Sequence, residues 1–119
     1  MTLTLQNFLD RIKNAQPVSF NNTMQIINEN YDYQATGFSN GVGDQIVIND
    51  AGKNEGSCKI FSFALLNGLN QSETLSLFGD YYRKDVLENP EGTDHQNIRN
   101  FMLFGWDGIH FNGQALRAK

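Results

Sequence analysis

Two short segments hold most of the side chains able to do chemistry: Asn54-Glu55-Gly56-Ser57-Cys58-Lys59 and Thr93-Asp94-His95-Gln96-Asn97-Ile98-Arg99. Each lies where a polar, glycine-bearing loop turns into an amphipathic stretch, and a helix start exposes backbone N–H groups beside the side chains that stand there. Cys58 falls in the first turn of its helix, where unpaired N–H groups and Lys59 favour a thiolate, which makes it the candidate nucleophile. His95 beside Asp94 is the candidate base, because a neighbouring carboxylate fixes an imidazole tautomer. His110, on a strand after the cysteine helix, is its rival. The competing reading makes Cys58 a small buried hydrophobe ahead of Ile60, Phe61 and Phe63, and the histidines surface groups.

Around these stand candidate binding residues. Tyr81 and Arg83 form an aromatic and cationic pair, and Arg99 lies one helical turn beyond His95, so two arginines converging on one cleft with Asn54, Ser57 and Asp94 would take an anion or an acidic peptide. Alternatively, the arginines pair with Asp85, Glu88 or Asp94 and hold helices together. One Cys and two His at long intervals give no metal-ligand spacing, so no metal is expected. Gly52 to Gly56 lacks the order of a phosphate loop, and no cofactor is expected.

The elements that must position these residues are readable in part. Leu5, Phe8, Leu9 and Ile12 recur at i, i+3, i+4 and i+7, which predicts a first helix capped by Thr2 or Thr4 and ended near Asn14 to Gln16 by Pro17. Asn21 and Asn22 are predicted to cap a second helix burying Met24, Ile27 and Tyr31. Alternation from Tyr31 to Phe38 reads as a strand, and Ile46-Val47-Ile48, beyond the Asn40-Gly41 and Gly43-Asp44 turns, as its hairpin partner. Ser57 is the predicted cap of a helix apolar on nearly every face, closed by Asn67-Gly68.

Asn70 and Glu73 stand in a capping-box relation ahead of a helix that follows Leu75, Phe78, Tyr82 and Val86 to Asn89-Pro90. Thr93 and Gln96 repeat the relation ahead of a helix burying Ile98, Phe101 and Met102. Gly105 to Gly108 breaks that helix, and Ile109-His110-Phe111 alternates like a brief strand. The expected fold is α+β: about five helices around a central buried helix, Lys59 to Leu66, with a small antiparallel sheet from the Tyr31 to Ile48 region and Ile109 to Phe111.

Composition bounds the setting. The 119 residues, 39 % hydrophobic with nine Phe, fit a single domain spanning 1–119. A net charge of −4 disfavours nucleic acid and anionic membrane surfaces as partners. A single cysteine excludes an internal disulfide, and the opening Met-Thr-Leu-Thr-Leu-Gln-Asn-Phe has no secretory signal pattern, so a cytoplasmic location is expected. No apolar run approaches the roughly 20 residues of a membrane span. Export that reads an uncleaved amino terminus stays open.

The stretches Asn49 to Phe61, Phe78-Gly79-Asp80-Tyr81-Tyr82-Arg83-Lys84-Asp85-Val86-Leu87, Gly92 to Met102 and Gly105-Trp106-Asp107-Gly108-Ile109-His110-Phe111 resemble the HopJ type III effector family, over nearly the whole chain. The resemblance implies a bacterial protein delivered into host cells by a type III secretion system. It carries no catalytic residue, substrate or cofactor onto positions here. Three functions follow from the residues. The first is a binding or interaction protein whose polar cleft takes a protein or small anionic ligand. The second is a thiol-dependent hydrolase or transferase in which Cys58 attacks and His95 or His110 accepts the proton. In the third, the polar cluster only caps and locks helix starts.

Overall fold

The computed structural model describes residues 4–119. Helix α1 (Leu5–Lys13) starts where Thr4 Oγ1 accepts from the Asn7 N–H, and it buries Phe8 and Ile12; Thr2, the other predicted cap, lies outside the described residues. Helix α2 (Phe20–Asn30) begins one step before its predicted caps. Ser19, from extended backbone, accepts from the Asn22 N–H while the Asn22 side chain accepts from the Ser19 N–H, so a reciprocal box replaces the expected Asn21 or Asn22 cap.

The predicted strand from Tyr31 to Phe38 is two strands in two sheets. Strand β1 (Tyr31–Tyr33) pairs antiparallel with β5 (Leu116–Ala118). Strand β2 (Phe38–Asn40) lies between β3 (Val47–Asn49) and β4 (Ile109–Phe111), antiparallel to both. The β3 and β4 strands were legible, but the hairpin forms from Phe38–Asn40, of which only Phe38 lies in the predicted strand, and the partner of β1 comes from far along the chain, where local alternation carries no information.

Helix α3 (Glu55–Leu66) is the centre, with Cys58, Ile60, Phe61, Ser62, Phe63 and Ala64 all buried. Phe61 is its hub: its ring lies 5.0–6.2 Å from those of Phe38, Phe78, Phe101 and Trp106. One fully buried phenylalanine contributes about 1.5–3 kcal/mol, and edge-on ring pairs add to it.

The predicted long helix after Asn70 is broken. The Asn70–Glu73 capping box forms, but α4 (Gln71–Ser76) stops, and a π-helical segment, Tyr81–Val86, follows. Gly79 explains the break: its φ of +63° is left-handed, and it packs so tightly on the start of α2 that a Cβ there would stand 2.6 Å from Phe20 N. Helix α5 (Gln96–Phe104) starts later than its motif suggests, with His95 as cap and no Thr93–Gln96 box. A 3-10 turn at Gly105–Gly108 follows, where Trp106 Nε1 donates to Leu69 O. Among the described residues no helix is long and apolar enough to cross a membrane.

Candidate functional site: a cleft between two helix starts

The amino ends of α3 and α5 come together on one open cleft of about 360 Å³, walled by Asn54, Gly56 and Ser57 from one helix and His95, Gln96 and Asn97 from the other. Tyr81 and Phe20 close a side, with ring centroids 4.9 Å apart. The two starts share an unusual local geometry. Their cap residues, Asn54 and His95, both hold left-handed backbone (φ 49° and 50°), and neither makes a side-chain cap. The first intrahelical bonds come from the Cys58 N–H to Asn54 O and the Ile98 N–H to His95 O. The N–H groups ahead of them, at Gly56, Ser57, Gln96 and Asn97, have no protein acceptor among the described residues. Such a pair of ends presents partial positive charge without any lysine or arginine on the walls.

What holds the ends in register is a set of neutral amides of which sequence reading singled out only Asn54. Asn97 Nδ2 donates to Asn49 Oδ1 at 2.9 Å, and Asn49 Nδ2 donates back to Asn97 Oδ1 at 3.1 Å, both side chains being buried. Asn54 Nδ2 donates to the same Asn49 Oδ1 at 2.6 Å, tying the α3 cap to the α5 pair. Asn40 Nδ2 donates to Asn97 O, and Asn100 Nδ2 to Asn40 O and Gln45 O. Asn40-Gly41 and Asn49-Asp50 look like turn residues in sequence; the burial of Asn40 and Asn49 is a tertiary fact.

His95 is held from the π-helical segment. Its Nε2 donates to Asp85 Oδ2 at 3.0 Å, and the Tyr81 ring lies 5.2 Å away, so the orienting carboxylate is Asp85 rather than the adjacent Asp94, whose Oδ2 is 3.8 Å off. Asp94 is occupied instead by Arg99 Nη2 at 2.7 Å, which holds its carboxyl below the usual carboxylate range.

Several candidate residues lie off the cleft walls. Arg99 is buried and spends its guanidinium on the Asp94, Asn89 and Pro90 carbonyls as well as the Asp94 carboxylate, clamping the loop before α5. Arg83 donates to Val18 O at 2.8 Å and faces a different groove. The arginines therefore do not converge. Cys58 is 1 % exposed, and its Sγ donates to Thr36 O at 3.4 Å. Burial pushes its thiol up, the reverse of the lowering expected from its place near a helix start, because desolvation penalises the thiolate. His110 is exposed on β4 opposite Ser39 and off the cleft. Of the candidates, Asn54, Ser57, Tyr81 and His95 share the cleft. Among the described residues, no three His, Cys, Asp or Glu side chains group to hold a metal.

Fold and cleft together define an α+β protein with a cleft of mixed polar and apolar lining set between two helix starts. The chain belongs to the HopJ type III effector protein family, whose profile matches residues 5–116. It is also similar, with a TM-score of 0.93 and 50 % identity over 100 % of this chain and 97 % of the other, to a crystal structure described as that of unknown function protein VPA0580. No curated protein matches it significantly.

Proposed function

We propose that this chain is a binding protein that takes a small anion, or a carboxylate of a partner peptide, in the cleft between the starts of α3 and α5. The observation that carries the reading is that two uncapped helix ends share one cleft of mixed polar and apolar lining, each acting on an anion as roughly half a positive charge. Asn54, Ser57, Tyr81 and His95 supply hydrogen-bonding side chains around those ends. Arg99, Asp94 and Arg83 contribute by holding the framework.

The probes are succinate and inorganic phosphate, followed by amide chemical shifts. Binding at millimolar concentration should move the Gly56, Ser57, Gln96 and Asn97 amides together. Shifts absent from all four, or confined to surface lysines, would overturn the reading. Family membership supports delivery through a type III secretion apparatus as the setting of that binding. A fusion to a reporter enzyme active only in host cytosol should give signal from a bacterium with an intact apparatus and none from one lacking it.

A further inference from the structure

We propose that the cleft is also a hydrolytic site for a carboxylate-bearing ester, with His95 as general base and Asp85 as the residue that positions it; this rests on the anion-binding reading above. The observation that carries it is the Asp85–His95 pair at 3.0 Å, in which His95 lines the cleft while Asp85, half-exposed outside the cleft wall, holds its Nε2. With Nε2 donating to Asp85, the neutral ring keeps its lone pair on Nδ1, the atom that accepts a proton. Of the other groups about the ring, Asp94 stands 3.8 Å away with its second oxygen on Arg99, and the Tyr81 ring lies against the imidazole, tilted at 43° with centroids 5.2 Å apart.

The backbone supports the same assignment. Tyr81 and Asp85 both come from the π-helical segment, a local geometry that concentrates at functional sites. His95 itself holds a left-handed conformation that a β-carbon disfavours, and such positions persist where surrounding contacts over-determine them.

Two helix starts suit a substrate with one standing negative group and a second that develops on the reacting carbonyl oxygen. The free N–H groups of Gly56 and Ser57 take the standing carboxylate, and those of Gln96 and Asn97, beside the base, take the oxygen of the reacting carbonyl. In the step, His95 Nδ1 removes a proton from water as the water oxygen bonds to the acyl carbon, and the carbonyl π electrons move onto oxygen. Collapse of that intermediate breaks the bond to the alkoxy oxygen, which leaves with the proton returned by His95. Ester and water become acid and alcohol, with no change of oxidation state.

The test uses monomethyl succinate, with methanol release followed by proton NMR, and methyl butyrate as the uncharged control. The wild-type protein should release methanol from the first and not the second. His95→Asn, chosen because asparagine tolerates left-handed backbone, should lose at least about 100-fold of kcat/KM; His95→Gln serves if that variant fails to fold. Asp85→Asn should lower kcat about 10-fold or more with KM little changed, and Asp85→Glu should restore part of it. Succinate bound by the wild type without methanol release above the His95→Asn level overturns the hydrolytic site and leaves the binding reading intact. Equal rates on methyl butyrate overturn the substrate class. Failure of succinate to bind at all removes both.

Discussion

Ser57 occupies the third position of α3, where a carboxylate would meet the positive end of the helix. Ser57→Asp is expected to raise stability by about 0.3–1 kcal/mol, seen as a higher Tm, and to abolish succinate binding by filling the site with its own anion. Asn97→Ala acts oppositely: it strips partners from Asn49 and Asn40, and the buried amides left behind should cost about 2–3 kcal/mol in urea unfolding. Cys58 should react with iodoacetamide more slowly than a free thiol until the chain unfolds. At this scale the sequence announced which residues are chemically capable, and Asn54, Ser57, Tyr81 and His95 do line one cleft. It did not announce their partners. Asp85 lies a loop away from His95, and the asparagines earn their roles only through burial, which no local pattern encodes.

The loop between the π-helical segment and α5 hangs on Arg99, and its strength depends on the Asp94 carboxylate. Asp94 has a lowered folded pKa, so its contribution is present above the ordinary carboxylate value and is lost as pH falls through the folded one. Amide exchange in residues 89–95 should therefore accelerate in acid relative to α3, and Asp94→Asn should remove that difference. Gly79→Ala tests the break that creates the π-helical segment. With its left-handed φ and the Phe20 backbone against any Cβ, it is expected to cost at least about 2 kcal/mol and to displace the Tyr81 ring from Phe20, read as shifted ring resonances. Helix existence was legible here from apolar spacing, but the breaks were not: Gly79 in sequence is one tolerated glycine, and only its approach to α2 makes it a stop.

Across the molecule, the central helix and the α+β class were readable because α3 is apolar on nearly every face, whereas the split into two sheets was not. Leu116 is fully buried and, among the described residues, β5 is the sole strand beside β1, so Leu116→Ala should lose about 2–5 kcal/mol, measured as a lower urea midpoint. Both sheets draw strands from either side of the exposed turn at residues 42–46: β1 and β2 precede it, and β3, β4 and β5 follow. A nick in that turn would leave two fragments, each carrying unpaired strand edges whose partners belong to the other. Neither fragment has a closed core of its own, yet mixing them should reconstitute the native shape, which makes this turn the natural point at which to divide the polypeptide into complementing halves.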